Sequence, residues 1–153
     1  MKADVVMASV CSRDLISEDL WNRLRSRVQR DGQFSAGKAD AVVDGTLSFL
    51  RLCGQFRGER LSPSKDIDVG WHAFTLHTRD YEAFWERVAG HLIHHEPTRP
   101  GERNPARTVA STIEFMRQHS IDFDPLLWAM SKANCDSGPP DCGETDCSSE
   151  GPG

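Results

Sequence analysis

The stretch ADAVVDGTLSFLRLCGQF, residues 39–56, decides the fold. Its apolar positions are too dense, and the run is too long, for a half-exposed strand. We therefore predict a buried central helix over 39–56, with Cys53 as one of its small buried apolar residues. Gly45 inside this helix costs up to about 1 kcal/mol of helix propensity relative to alanine. A glycine at that position indicates either tight packing or a minor irregularity.

Helix start and stop signals on both sides of the central helix predict further helices. Apolar residues at spacings of three and four follow each start signal. The predicted helices are about 18–30 after the cap Ser17, Ser64 to about Leu76, Thr78 to a stop at Gly90, about Thr108 to Gln118, and a short last helix after Asp124 and Pro125. The sequence therefore predicts an all-α fold, a compact bundle of five or six helices without strands.

A chain of 153 residues is about the size of one domain. We expect an N-terminal arm at 1–16, a helical domain at 17–132 and a tail at 133–153. The tail has no large apolar residue and is rich in Gly, Pro, Ser, Cys and acidic residues. Burial cannot offset the entropy cost of ordering such a segment, so we predict a disordered acidic tail.

The tail also carries three of the five cysteines: Cys135, Cys142 and Cys147. Their spacing is wider than the CxxC pairs of structural zinc sites. A simple linker is therefore the default interpretation, although mobile thiols can bind a soft metal or be oxidised.

The net charge of −5 comes entirely from the five acidic residues of the tail. The rest of the chain is balanced, so it lacks the basic patch expected of a nucleic-acid-binding protein. No apolar run approaches the roughly 20 residues that cross a bilayer, and none is typical of a secretory signal. We therefore expect a cytoplasmic protein with reduced or metal-bound cysteines, and no nucleic-acid or membrane partner.

Five of the six histidines lie between Trp71 and His95. Asp68 and His72 are one turn apart on the same helix face, whereas His77 points about 140° away from His72. We predict a purely structural role for His77 at the end of its helix, where a cation interacts favourably with the helix dipole. The other three histidines, His91, His94 and His95, follow Gly90, and adjacency allows at most one of the last two to face Asp68 and His72.

A set of histidines and a carboxylate with open positions is typical of Zn²⁺ or non-haem Fe²⁺ sites. The spacing here is not diagnostic, however, because no HExxH motif is present. The alternative is structural: Asp68 caps its helix, His72 donates to a buried carbonyl, and the His94-His95 pair anchors a loop. A nucleophile at Cys53 is a weaker hypothesis, and the row of arginines on 18–30 is expected to be a solvated face.

The run LSPSKDIDVGWHAFTLHTRDYEAFWERVAGHLIHHEP, residues 61–97, resembles the glycine-rich domain-containing protein-like family in its short bacterial form. The family pattern pairs an acidic residue with the His of a Trp-His dipeptide, followed by a Tyr, a Gly and a late His. Those positions are here Asp68, Trp71, His72, Tyr81, Gly90 and His95. The similarity extends to LLWAMSKANC, residues 126–135. One departure is Trp85, which stands where bacterial relatives commonly have Cys.

The resemblance implies a helical domain whose biochemical role is unsettled. It selects Asp68, His72 and His95, the set that helix geometry also allows to converge. The leading hypothesis is a divalent-metal site at these residues, with Tyr81 as a catalytic proton-transfer or hydrogen-bonding partner. The protein would be an enzyme or accessory factor in a bacterial biosynthetic pathway, acting on an unknown small molecule or protein partner. The alternative is a non-catalytic interaction module in which the same residues are structural.

Overall fold

The computed structural model describes residues 11–59, 61–95 and 108–128. The described part of the chain contains helices and no strand, so the predicted all-α class is confirmed. A short 3-10 helix at Ser12–Leu15 precedes the α-helices. These are α1 (Glu18–Gly32), α2 (Ala36–Gln55), α3 (Lys65–Thr75), α4 (Thr78–Val88), α5 (Val109–Gln118) and α6 (Pro125–Trp128).

Side-chain caps set most helix starts at the expected places. The Ser17 hydroxyl accepts from the N–H of Leu20, and Thr108 and Ser111 form a reciprocal capping box. Such caps satisfy backbone N–H groups that have no partner within the helix. The predicted starts of α1, α3, α5 and α6 are confirmed.

Two predicted boundaries are wrong. The central helix α2 begins at Ala36 rather than Ala39, because Ser35 accepts from the N–H of Lys38 and caps it there. Thr78 is the first residue of α4 rather than its cap. The cap position is His77, whose side chain makes no capping hydrogen bond.

The core is built around α2, which packs against α1, α3, α4 and α6. Val42, Leu47 and Leu50 of α2 are fully buried, as are Phe74 of α3 and Trp85 of α4. These side chains are the largest source of stability, since burying one large apolar side chain contributes about 1.5–3 kcal/mol. The predicted central helix is thus the element on which the others pack.

Close helix approach explains two glycines. A Cβ at Gly45 would lie 2.8 Å from a methyl group of Leu127 and 2.9 Å from one of Ile67, and α2 runs unbroken through this position. Tight packing, rather than an irregularity, is therefore the reason for Gly45. A Cβ at Gly70 of α3 would lie only 2.0 Å from Oγ1 of Thr46 on α2, so these helices cross in direct contact at that point.

The arginine face of α1 is a charged, paired surface. Arg23 contacts Asp19 and Asp80, and Arg27 contacts Asp31 at 3.0 Å. Such exposed pairs contribute little to stability. Within the described ranges, no helix combines the length and hydropathy needed to cross a membrane.

The predicted division into arm, helical domain and tail stays a prediction. Of the arm, residues 11–16 are described, and Leu15 is buried beside α2. The tail at 133–153, with its three cysteines, lies outside the described residues.

Candidate functional site

The site residues meet at one face of α3. Asp68 and His72 lie one turn apart on that helix, and His95 reaches the same face from the segment that follows α4. The Nε2–H of His95 donates to Oδ1 of Asp68 at 2.7 Å, and the ring centres of His72 and His95 are 6.2 Å apart. Of the two adjacent histidines, His95 is the one bonded to Asp68.

His95 is much better shielded from solvent than its partner. Its side chain is 12% exposed, whereas that of Asp68 is 53% exposed. The edge-to-face contact with Trp71, at 4.7 Å between ring centres, covers one side of the imidazole. Because Asp68 accepts the Nε2 proton, the lone pair of a neutral His95 is on Nδ1, which has no hydrogen-bond partner among the described residues.

Tyr81 fixes the segment that carries His95. The Tyr81 hydroxyl accepts from the indole N–H of Trp71 at 2.9 Å and donates to the carbonyl of Ile93 at 2.5 Å. This chain of two hydrogen bonds ties α3, α4 and residues 91–95 together. Tyr81 itself is buried and packs edge-on against Phe74. In this arrangement Tyr81 positions His95, and its predicted catalytic role stays a prediction.

Tyr81 is expected to ionise only above the usual range. Burial raises the pKa of Tyr81 above its ordinary value of 10.0, and the Trp71 N–H offsets part of that rise. A raised pKa means that the fold favours the neutral phenol, so its contribution to stability is present below pH 10 and is lost as the pH rises further. Tyr81 is the chain's single tyrosine, so tyrosinate absorbance follows it alone.

An alkaline pH titration followed by tyrosinate absorbance and circular dichroism tests this. Tyrosinate should appear together with the loss of helical circular dichroism, whereas Tyr81 of the protein unfolded in guanidinium should titrate near pH 10. Ionisation of the folded protein at or below pH 10 would show that the hydroxyl is not buried in this way.

The other histidines of the window have separate positions. His77 lies between α3 and α4, and its Nδ1–H donates to the carbonyl of Ala73 at 3.1 Å, so it caps the end of α3. His91 is exposed and bonds the nearby carbonyl of Ala89. His94 is also exposed but lies beside His72 and His95 in a common pocket. The five histidines therefore do not form one cluster.

That pocket, which we call the histidine pocket, is open and has a volume of about 570 Å³. It is lined by residues of α3, α4 and the 91–95 segment: His72, Thr75, Thr78, Tyr81, Glu82, Leu92, His94 and His95. Sequence reasoning missed Thr75, Thr78 and Glu82 as lining residues. The signal available for two of them is the spacing of Thr78 and Glu82, which share a face of α4.

The side chains as they stand do not form a ready-made metal centre. Across residues 11–59, 61–95 and 108–128, no group of three or more His, Cys, Asp and Glu side chains is arranged to hold a metal ion. Asp68 and His95 bond each other instead. The alternative nucleophile is also disfavoured, because burial raises the pKa of Cys53 to about 12 and keeps it a thiol at neutral pH.

Comparison with known families covers most of the helical part of the chain. A family model described as UCP032817-like matches residues 13–111, a range that includes Asp68, His72, Tyr81 and His95. No curated protein and no solved structure matches the chain. The resemblance to the glycine-rich domain-containing protein-like family stays a prediction, since the match does not bear on it. Because the match spans well over half of its length, the chain belongs to the UCP032817-like family, which is uncharacterised.

Proposed function

We propose that this protein binds a divalent transition-metal ion in the histidine pocket, through His72 and His95 with Asp68 beside them. The observation that carries the proposal is the convergence of these three side chains at one face of α3, from two different parts of the chain. Imidazole nitrogens and carboxylate oxygens are the ligands that Zn²⁺ and Fe²⁺ take in proteins.

The hydrogen bond between Asp68 and His95 is compatible with this function. Histidines that bind metals usually donate their second ring N–H to a carboxylate, which fixes the tautomer and the ring orientation. Asp68 accepts the hydrogen bond from Nε2–H of His95, so Nδ1 of the neutral ring is the nitrogen that can bind a metal. Asp68 therefore serves as an orienting group or, once the bond opens, as a ligand itself.

The separation of the two imidazoles requires only a small adjustment. Metal–nitrogen bonds of about 2 Å place the centres of two histidine rings roughly 5 Å apart in a tetrahedral site. The rings of His72 and His95 are 6.2 Å apart. His72 is exposed, so a change of its side-chain rotamer meets little resistance. The exposed side chains of His94 and Glu82 line the same pocket and are further potential metal ligands.

Elemental analysis after dialysis against Zn²⁺ tests the proposal. The tail thiols are removed as competitors by changing Cys135, Cys142 and Cys147 to Ser in the full chain. We expect about one Zn²⁺ per chain, lost in His72→Ala and in His95→Ala. Asp68→Asn keeps an oxygen that can accept the hydrogen bond from His95. Because Asp68 acts as an orienting group, this change should weaken Zn²⁺ binding by about 10- to 100-fold without abolishing it.

His91→Ala and His119→Ala are the matched controls, because both side chains are exposed and lie outside the histidine pocket. They should retain the metal. If the serine-substituted protein takes up no Zn²⁺, or if the controls lose as much as the pocket variants, the proposal fails. Metal bound only by the protein with intact cysteines would place the site on the tail.

A non-catalytic interaction module is the second candidate function, and a specific observation favours it. Asp68 and His95 hydrogen-bond each other, and the Tyr81 hydroxyl is paired with the Trp71 indole and the Ile93 carbonyl, as in structural hydrogen bonders. On this proposal His95→Ala lowers the melting temperature while the wild type binds no metal. Roles as an enzyme or pathway factor and a cytoplasmic location stay predictions.

A further inference from the structure

A second pocket has lining residues different from those of the histidine pocket. It has a volume of about 280 Å³ and is formed by α2, the segment 121–124 and α6. Three aromatic residues line it: Phe49, Phe123 and Trp128. Phe49 and Trp128 are buried, and their ring centres are 5.6 Å apart with an angle of 54° between the planes. Phe49 and Trp128 thus pack against each other, and Phe123 is the most exposed of the three rings.

Carboxylates accompany these aromatic residues. Asp44, Asp122 and Asp124 line the pocket, and no Lys, Arg or His is among the described residues that do so. Asp124 already accepts from the N–H of Leu126 at 2.9 Å. All three carboxylates are exposed at the molecule's surface. Partial burial raises the pKa of Asp44, and Arg13 lies near enough to offset part of that rise.

We propose that this aromatic and acidic pocket binds a small quaternary or methylated ammonium cation. Ring faces attract cations through their quadrupoles, and recognition of quaternary ammonium groups by aromatic residues is the best-known use of that attraction. Nearby carboxylates add Coulomb attraction, which does not need the N–H donors that a quaternary ammonium lacks. The combination excludes anions by charge, and it favours a cation with an apolar surface over a strongly hydrated metal ion.

The size of the pocket limits the ligand. Pockets for drug-sized molecules are about 300–1,000 Å³, so 280 Å³ lies just below that range. A trimethylammonium group with a short substituent, such as choline, is the appropriate probe. The aromatic and acidic pocket shares no lining residue with the histidine pocket, so ligand binding here does not depend on metal binding there.

Titration of the full chain with choline, followed by backbone amide shifts, tests the proposal. Saturable shifts are expected in residues 44–52 and 121–128. The neutral analogue 3,3-dimethylbutan-1-ol has the same shape without the charge, and it should bind at least about fivefold more weakly. Asp44→Asn should weaken choline binding by about fivefold, and Phe123→Leu, which keeps the apolar bulk but removes the ring face, should also weaken it.

Glu86→Gln is the matched control, since it removes one negative charge from an exposed position on α4 outside this pocket. It should bind choline as the wild type does. The proposal is overturned if the shifts do not saturate, if the neutral analogue binds equally well, or if Asp44→Asn and Glu86→Gln behave alike.

Discussion

Gly70→Ala is expected to lower the free energy of unfolding by about 3 kcal/mol, the upper part of the range for overpacked sites. The added methyl group would lie 2.0 Å from Oγ1 of Thr46 and 3.3 Å from a methyl group of Val42. Thr46 cannot easily turn away, because its hydroxyl is buried and donates to the carbonyl of Val42 at 2.7 Å. Helices α2 and α3 would have to separate. Chemical denaturation followed by circular dichroism measures the loss.

Gly37→Ala is the control for the helix propensity of alanine. Gly37 lies in α2, and nothing is within 4 Å of a Cβ added there, so this change should stabilise the protein by up to about 1 kcal/mol. Adding Thr46→Ala to Gly70→Ala should restore part of the loss, because it removes the nearest oxygen while the Thr46 Cβ remains 3.0 Å away. If Gly70→Ala proves as harmless as Gly37→Ala, the close crossing of α2 and α3 is wrong.

Tyr81→Phe is expected to cost about 1–3 kcal/mol of stability and to loosen the segment that carries His95. The substitution keeps the aromatic ring against Phe74 but removes the hydroxyl that joins Trp71 to Ile93. It leaves the indole N–H and the Ile93 carbonyl without these partners, and an unpaired buried polar group is costly. Denaturation measures the stability change, and amide hydrogen exchange in residues 91–95 measures the loosening.

Thr75→Val serves as the control for Tyr81→Phe. It likewise removes one hydroxyl, which donates to the carbonyl of His72 at 2.7 Å, but in an exposed setting where substitutions usually change stability by less than about 0.5 kcal/mol. Equal effects of the two changes, or unaltered exchange in 91–95 for Tyr81→Phe, would mean that the hydroxyl does not hold the segment.

The helices were predictable from the sequence because their signals are local. Ser17, Ser64 and Asp124 each precede an apolar run and act as caps in the structure. The start of α2 is wrong in the prediction because the stretch GQFSAGK, residues 32–38, with its two glycines, is typical of a chain break, whereas burial of the rest of α2 holds its first turn in the helix. His77 replaces Thr78 at the cap position because α3 and α4 follow each other with little connecting chain.

Only part of the candidate site follows from local rules. Helical periodicity places Asp68 and His72 on one face, and it separates His72 from His77. The contact between Asp68 and His95 spans 27 residues and depends on how the segment after Gly90 turns back towards α3. Helix geometry allowed this contact, and the family resemblance selected His95. Neither indicated the Ile93 carbonyl that accepts from Tyr81.

The most direct test of the metal proposal is to observe the imidazole nitrogens of each histidine by ¹⁵N NMR while Zn²⁺ is added to the serine-substituted chain. We expect the ring signals of His72 and His95 to change together, and the change to be complete at one equivalent of Zn²⁺, with Nδ1 of His95 showing the shift of a metal-bound nitrogen. His77, His91 and His119 should remain unchanged. Ring signals of His72 and His95 that stay at their metal-free positions through several equivalents of Zn²⁺ would contradict it.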